Sequence, residues 1–312
     1  MIRYRFTEAE LIADIEADDI EKGRRQSWLS KAKRLTTELK KNRAKKITSE
    51  WSEIKSVYTK RQHGKCAFCE RLLGAHELAS VEFDVEHFRP KNAVKSWPTA
   101  EVVAQLKLPV GFPRSPGNGR GYRLLAYHHL NYASSCKTCN SRLKANFFPI
   151  AGKHEFAGVD PAKLHASEQP YLIYPLGDFD EDPEEIVSFK GPMAVPRRRP
   201  LTPHHHRRAL VTIAFFRLNE ERDDILELRA KQLEDVFTKL ELIETLRPGP
   251  RRKQIWQDVL RLVDEASHHA GCVRSLLKLY GAPDDQTPPK TRAEALEYLK
   301  LARDYWRSKH KP

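Results

Sequence analysis

Apolar residues recur at helical spacing through much of the first 65 residues. The sequence Thr7-Glu8-Ala9-Glu10 has the form of a capping box, and apolar Leu11, Ile12 and Ile15 follow it. A second helical pattern carries the basic run at residues 40–46. Residues 48–61 form a third amphipathic pattern, with Trp51, Ile54, Val57 and Tyr58 on one face. We therefore predict helices up to about residue 65 and interpret this last face as part of the core.

The pattern changes after residue 65. Residues 66–150 carry short extended pieces around 81–88 and a helix that begins near Asn140, and they are predicted to form one compact unit. Within this unit, residues 92–121 form an insertion, with a short helix after Pro98 and then a loop rich in proline and glycine. We expect the tip of this loop to be mobile and exposed, and the alternative is that its basic residues Arg114 and Arg120 contact a substrate.

The second half of the chain begins with β structure and ends in helices. Residues 171–175 and 186–189 are predicted as two short strands around an acidic turn at 178–185, which together form a β-hairpin. From Thr202 onward the pattern is helical, with Pro203 suited to a first helical turn. The predicted class is α+β and mostly α-helical. Its predicted domains are a basic helical N-terminal region (1–65), a core (66–150), an irregular or β-hairpin linker region (151–200) and a helical C-terminal domain (201–312).

Length and composition indicate a soluble globular protein. The chain has 312 residues, of which 40% are hydrophobic, and this is enough to bury a full core. Its longest apolar stretch, near residues 209–216, is far shorter than the roughly 20 residues of a membrane span. The opening residues also lack the apolar segment of a signal peptide. We therefore expect no membrane partner, and five cysteines fit a reducing cytoplasm better than a disulfide framework.

The positive charge of the chain is concentrated near its beginning. The formal net charge is +13, and residues 21–65 contain fifteen Lys or Arg against four Glu. A basic block of this kind attracts a polyanion, and nucleic acid is the natural one because neutralised phosphates release counterions. The alternative is a solvated helix face, which is common in basic helices.

Two Cys-x-x-Cys pairs, Cys66 with Cys69 and Cys136 with Cys139, frame the middle of the chain. Four thiolates in two such pairs are the ligand set of one tetrahedral structural Zn²⁺. The ion would join two segments that are far apart in sequence. The sequence therefore predicts that zinc stabilises the fold of the compact unit at residues 66–150.

The residues between these pairs can support phosphodiester hydrolysis. His87 is our candidate general base, because a neutral imidazole can accept a proton from water near neutral pH. Glu86 and Asn140 offer hard oxygen ligands that suit Mg²⁺ or Mn²⁺. Neighbouring residues of a regular strand point to opposite faces, so the strand should end or bend at Glu86 and His87. Asp84 shares the face of Glu86 and is the alternative metal ligand.

These motifs resemble those of the HNH, or ββα-metal, endonucleases. Residues 83–91 look like the first strand of the HNH motif, in which the acidic residue binds the divalent ion and the histidine is the general base. The resemblance assigns these roles to Glu86 and His87. It also assigns to Asn131 the role of the catalytic-site Asn, whose side chain braces the loop and orients the histidine. By the same resemblance, Asn140 takes the role of second metal ligand.

A wider resemblance extends over roughly residues 50–230. The segments 65–70, 85–91, 127–149, 174–175, 182–185 and 208–229 are similar to those of PtuB-type HNH proteins from Septu and retron-associated antiphage systems. Members of that group work beside a PtuA-type ATPase, so the resemblance implies an ATPase partner. The chain itself contains no Walker A sequence.

Basic residues near the motif are candidate nucleic-acid contacts. They are Arg89, Lys91, Arg142 and Lys144. Two hypotheses follow for the whole chain: a metal-dependent endonuclease, or a zinc-stapled module that binds nucleic acid or protein without catalysis. The HNH residues favour the endonuclease. DNA is the favoured substrate, and RNA such as tRNA remains an alternative.

Overall fold

The computed structural model describes residues 1–73, 83–197, 201–281 and 289–310. Helices hold 52% of the residues and strands hold 10%, so the expected α+β class with a helical majority is confirmed. The α-helices are α1 Glu8–Glu21, α2 Trp28–Lys41, α3 Lys55–Arg61, α4 Ala100–Leu106, α5 Pro161–Glu168, α6 Pro183–Ile186, α7 Pro203–Phe215, α8 Ile225–Thr245, α9 Pro250–Arg261, α10 Ala270–Tyr280 and α11 Pro289–Lys309.

The N-terminal helices follow the sequence signals, with one difference. Thr7 caps α1 and forms the expected capping box, because its hydroxyl accepts from the Glu10 amide and the Glu10 carboxylate accepts from the Thr7 amide. Helix α2 ends at Lys41, so most of the basic run at 40–46 lies beyond it and not within it. A 3-10 helix, Glu50–Ile54, leads directly into α3.

Two small antiparallel sheets hold the strands. Strand β1, Phe83–His87, pairs with β2, Tyr132–Cys136, in a register that sets Glu86 opposite Ala133. Strand β3, Val187–Lys190, pairs with β4, Met193–Pro196. The hairpin is therefore later in the chain than predicted, because residues 171–175 form no strand and the turn uses Gly191, whose φ of 57° favours glycine.

The helical insertion and the segment after β2 also have defined structure. Helix α4 follows Pro98, as expected, and its first turn is capped by the Thr99 hydroxyl. Short 3-10 helices span Arg123–Leu125 and His129–Asn131. The helix expected near Asn140 is a π-helix, Thr138–Lys144. Within the described ranges, no helix combines the length and apolar character needed to cross a membrane.

The chain divides into two compact units. One comprises Met1–Ile2, Cys69–Arg71 and Pro183–Pro312, and the other comprises Arg3–Phe68 and Leu72–Asp182. In the first unit α11 packs along α8, and α10 contacts α11 and β3. In the second unit α3 packs against both strands of the β1–β2 sheet, and α1 packs against α2 and α3.

Aromatic rings form the centre of the second unit. The Tyr132 ring meets the Tyr58 ring edge to face at 5.8 Å and the Trp28 ring at 6.1 Å, and all three residues are buried. The Tyr58 hydroxyl donates to the His129 carbonyl at 2.7 Å. This packing joins the N-terminal helices to the segment that precedes and forms β2.

Candidate functional site

A cavity of about 250 Å³ lies at the end of β1. Its walls are formed by Trp51, Asp84, Val85, Glu86, His87, Pro90, Lys91, Asn140, Ser141, Ala145 and Asn146. The structure thus brings together five of the residues singled out in the sequence, Asp84, Glu86, His87, Lys91 and Asn140. Strand β1 ends at His87, where the sequence predicts an end or a bend. The adjacent residues Glu86 and His87 therefore both line the cavity.

Glu86 is the buried carboxylate of this cavity. Its exposed fraction is 4%, and burial raises its pKa to about 7. The Lys144 ammonium lies 3.4 Å from the Glu86 carboxylate and opposes this increase. Lys144 is itself buried, and burial lowers its pKa. The two groups form a buried ion pair at the wall of the cavity.

His87 is held in an orientation that defines the chemistry of its ring. Its Nε2 atom lies 3.1 Å from the Ala126 carbonyl oxygen, and a carbonyl can only accept, so Nε2 carries the proton. The Nδ1 atom is then the nitrogen that can accept a proton. Burial, helped by the nearby Lys91 charge, lowers the pKa of His87 well below its usual value. The neutral imidazole that a general base requires is therefore the stable form near pH 7.

Two aromatic rings hold the imidazole from the sides. Trp51 meets His87 edge to face at 4.5 Å, and Tyr132 does so at 5.0 Å. The sequence pattern had assigned Trp51 to the core together with Ile54, Val57 and Tyr58. The structure corrects this: the other three are buried, whereas Trp51 is half-buried and lines the cavity.

Asn131 lies behind the cavity and does not line it. Its side-chain amide donates to the carbonyl oxygens of Arg89 and Leu125, both at 3.1 Å, and its carbonyl oxygen accepts from the Arg89 amide at 2.8 Å. Leu125 immediately precedes Ala126, whose carbonyl oxygen accepts from His87. Asn131 thus ties the chain after β1 to the segment that orients the histidine.

Asn140 enters the cavity from the π-helix. Its backbone carbonyl oxygen accepts from the Ala145 amide at 2.7 Å, and Ala145 adopts a positive φ of 39°. A π-helical turn of this kind is often found at functional sites. The same turn brings Ser141, Ala145 and Asn146 to the cavity wall, and the sequence motif gave no reason to select them.

The oxygen atoms around the cavity fit a hard divalent cation. Glu86 offers a carboxylate and Asn140 an amide oxygen, and Asp84, the alternative ligand, lines the same cavity with an exposed side chain. Mg²⁺ and Mn²⁺ prefer oxygen ligands of this type and retain several waters. These oxygen atoms are therefore suitable ligands for Mg²⁺ or Mn²⁺, and Asp84 is still an alternative to Glu86 or Asn140.

The four predicted nucleic-acid contacts differ in their surroundings. Lys91 lines the cavity, and its ammonium lies 4.4 Å from the centre of the Trp51 ring. Arg142 is exposed and lies outside the cavity wall. Lys144 has no exposed surface and faces Glu86. Arg89 is also fully buried, which removes it from contact with a phosphate in solution.

Arg89 instead forms a buried ion pair with Glu168. Its Nε atom donates to the Glu168 carboxylate at 2.9 Å, and neither side chain is exposed. Aromatic rings of Phe88, Tyr122 and Phe148 surround the guanidinium at 5.2 to 5.9 Å. A positive charge in the sequence carries no information about burial, and this is why Arg89 was assigned to the surface.

We expect Glu168→Ala to lower the free energy of unfolding by about 3–5 kcal/mol, because it leaves the Arg89 charge buried without its partner. Denaturant-induced unfolding measures this change. Glu21→Ala is the matched control, since its pair with Lys60 is mostly exposed and should contribute less than about 1 kcal/mol. Equal losses in the two variants would contradict a buried structural role for Arg89.

The four cysteines of the two pairs form one cluster. Their sulfur atoms all lie within 4.8 Å of one another, all four residues are buried, and none forms a disulfide. Tetrahedral Zn–S bonds of about 2.3 Å place sulfur atoms roughly 3.8 Å apart, so the cluster can hold zinc. The Cys139 amide also donates to the Cys136 sulfur at 3.4 Å.

Among known families, solved structures and curated proteins, one curated protein is significantly similar in sequence to this chain. No family model matches the chain, and no solved structure matches it. The chain is 31% identical over 137 residues to a protein of Bacillus mycoides (strain KBAB4) called Septu protein PtuB. The aligned stretch covers 44% of this chain and 38% of that protein, so it spans less than half of either.

Proposed function

We propose that this protein is a metal-dependent HNH endonuclease that hydrolyses phosphodiester bonds in nucleic acid. The observation that carries the proposal is the meeting of His87, Glu86 and Asn140 in one cavity, with the imidazole neutral and its Nε2 proton directed to a carbonyl. Hydrolysis needs a base for water and a site that stabilises charge on the phosphate. This cavity offers both kinds of group.

Each residue has a defined task in this proposal. The Nδ1 atom of His87 takes a proton from the water whose oxygen bonds to phosphorus, as the bond from phosphorus to the leaving sugar oxygen breaks and that oxygen takes a proton from solvent water. Trp51 and Tyr132 hold the imidazole ring in place. Lys91 attracts the phosphate, and Glu86 and Asn140 hold the divalent ion. A bound Mg²⁺ or Mn²⁺ would supply Lewis-acid stabilisation of the developing negative charge.

We further propose that the protein acts in the cytoplasm as the nuclease effector of an antiphage defence system. The similarity to a protein called Septu protein PtuB supports this role. The HNH-group resemblance adds a PtuA-type ATPase as partner, and the buried four-cysteine cluster supports a structural zinc. DNA is the favoured substrate and RNA the alternative, because the attack of water on phosphorus does not depend on the sugar.

A non-catalytic zinc-stapled module is the second candidate. The Lys144 ammonium, 3.4 Å from Glu86, favours it, because this cation already neutralises the carboxylate that would bind the catalytic ion. The two candidates differ in one measurement. A module of this kind would bind nucleic acid equally well in Mg²⁺ and EDTA and would cleave none.

The deciding experiment is incubation of the purified protein, alone and with its neighbouring ATPase, with plasmid, single-stranded DNA and total RNA. Each mixture is prepared in Mg²⁺ and in EDTA. We expect products only in Mg²⁺ and only with intact Glu86, so Glu86→Gln serves as the control protein. Absence of cleavage in every mixture would exclude the endonuclease and leave the binding module.

Metal affinity should depend on pH through Glu86. Because its pKa is raised to about 7, the protonated carboxyl dominates below pH 7 and competes with the cation. We expect Mn²⁺ to bind about tenfold more weakly at pH 6 than at pH 8, as measured by calorimetry or Mn²⁺ relaxation. Glu86→Gln should bind more weakly and lose this dependence. An affinity independent of pH would contradict Glu86 as a ligand.

A further inference from the structure

A second cavity, of about 330 Å³, shares Lys91 with the candidate catalytic cavity. Its walls are formed by Arg43, Lys91, Asn92, Ala93, Gly119, Arg120, Gly121, Arg123, Leu124 and Phe156. Four of these residues are cations, and none is a carboxylate. We call this space the basic cavity. Its walls include residues of both the N-terminal basic block and the insertion loop. Lys91 forms the wall that it shares with the catalytic cavity.

The insertion loop is fixed against the chain after β1. The Tyr122 amide donates to the Pro90 carbonyl at 2.8 Å, and the Val94 amide donates to the Arg120 carbonyl at 2.9 Å. At Gly121 the two segments approach so closely that a Cβ atom would overlap the carbonyl oxygen of Lys91. The loop expected to be mobile is therefore attached here, and its arginines have defined positions.

The three arginines of the basic cavity lack the carboxylate partners that other described basic residues possess. In the described part of the chain, no ion pair involves Arg43, Arg120 or Arg123. Many cations of the N-terminal block do pair, several of them with acids of α1: Lys22 and Arg24 with Asp18, Lys31 with Glu50 and Glu53, Arg34 and Lys45 with Glu38, Lys60 with Glu21, and Arg61 with Asp14.

Much of the basic block is thus neutralised within the protein, and the basic cavity retains its charge. Unpaired arginines that surround a concave space repel one another, and an anion relieves this repulsion. The planar arginine guanidinium can also bind a phosphate through two parallel N–H donors, one to each of two oxygen atoms. The cavity therefore has the chemistry of a phosphate site.

We propose that the basic cavity binds backbone phosphates of the substrate strand next to the scissile phosphate. The proposal rests on the nuclease function proposed above and adds a second binding site to it. Lys91 contacts both cavities, so a strand can pass from one to the other along it. The aromatic ring in the basic cavity, Phe156, is buried and covered by the Arg120 guanidinium at 5.6 Å. Backbone contacts should dominate, and binding should be independent of sequence.

The test is the variant Arg43→Gln/Arg120→Gln, which changes two exposed side chains and spares Arg123, whose guanidinium donates to the Lys45 carbonyl. Binding to 20-nucleotide single-stranded DNA and RNA is measured in EDTA over a range of salt, in a His87→Ala background. We expect weaker binding to unrelated sequences and a salt slope lower by about 0.7 for each side chain, the value for single strands. Arg43→Lys/Arg120→Lys should restore the slope.

The matched control is Arg247→Gln/Arg251→Gln, which removes the same charge from two exposed arginines outside the basic cavity. Its salt slope should remain that of the parent. An equal slope in the two double variants would overturn the proposal. So would loss of ATPase binding with unchanged nucleic-acid affinity, because the cavity would then serve a protein partner.

A second measurement separates this proposal from the nuclease function itself. Bis(p-nitrophenyl) phosphate is too small to occupy both cavities, so Arg43→Gln/Arg120→Gln should hydrolyse it at the parental rate while its KM for a polynucleotide rises. A parental KM for the polynucleotide would overturn the basic cavity as a substrate site. If the parent hydrolyses neither compound, the nuclease function fails, and the binding measurement in EDTA still decides the phosphate site.

Discussion

His87→Ala should reduce the rate of phosphodiester cleavage by about 10²- to 10⁴-fold, the range that general-base catalysis supplies. The physical reason is the loss of Nδ1, the nitrogen left free to take a proton when Nε2 donates to the Ala126 carbonyl. Single-turnover cleavage in Mg²⁺ measures the chemical step directly. Zinc content and affinity for nucleic acid in EDTA should be close to those of the parent.

Because His87 is buried between Trp51 and Tyr132, removal of its ring also leaves a void. His87→Gln controls for this, since the longer side chain fills more of the space and can still donate to Ala126, yet it offers no base. Both variants should be equally inactive. Near-parental cleavage by either one under single-turnover conditions would show that another group activates the water.

Cys136→Ser should cost the protein its zinc and its stable fold. Structural zinc contributes about 10–16 kcal/mol in small zinc-dependent domains, which is comparable to the whole of the roughly 5–15 kcal/mol that stabilises a typical domain. The four sulfur atoms lie close enough to share one ion, and loss of one thiolate leaves the set incomplete. We expect one zinc per chain in the parent and none in the variant, measured by elemental analysis together with thermal unfolding.

Cys272→Ser is the matched control for this experiment. Cys272 is the fifth buried cysteine and lies outside the cluster, where its thiol donates to the His269 carbonyl at 3.0 Å. Serine can make the same hydrogen bond, so this variant should keep its zinc and most of its stability. Folded parental protein that contains no zinc would contradict the structural role of the metal.

The polar residues of the candidate site could be selected from sequence because their chemistry and spacing are distinctive. Glu86, His87 and Asn140 stand at the end of a strand and just after a cysteine pair, and these positions meet in the folded chain. Trp51 could not be selected in the same way. Its spacing from Ile54 and Tyr58 is that of any buried helical face, and only the fold reveals that it turns toward His87.

Charge was the least informative feature of the sequence at the level of single residues. Arg89 and Lys144 were read as surface cations, yet both are buried beside carboxylates that lie far from them in the chain, Glu168 and Glu86. The charge counted for residues 21–65 overstates the free charge of the basic block for a related reason, since Asp14 and Asp18 of α1 lie outside the counted residues and pair with some of its cations. Ion pairing depends on tertiary contacts that spacing alone does not encode.

The helices were easier to predict than the strands. The capping box at Thr7 and the proline at position 203 are local signals, and the helices begin where these signals indicate. The hairpin was misplaced because the acidic residues at 178–185 resemble a turn, while the observed turn depends on Gly191. Strands of only four residues, such as β3 and β4, leave little alternation of hydrophobic and polar positions to detect.

The contact between Trp51 and His87 bears on how the proposed nuclease motif can be exchanged between proteins. Trp51 belongs to the 3-10 helix that precedes the first cysteine pair, outside the segment that carries the recognisable motif. A chimera that received only residues 66–150 would inherit both cysteine pairs, but one side of its imidazole would be open to water. The histidine would then titrate closer to the pKa of a free side chain. Transfer of the motif to another protein therefore requires that the N-terminal helices be transferred together with it.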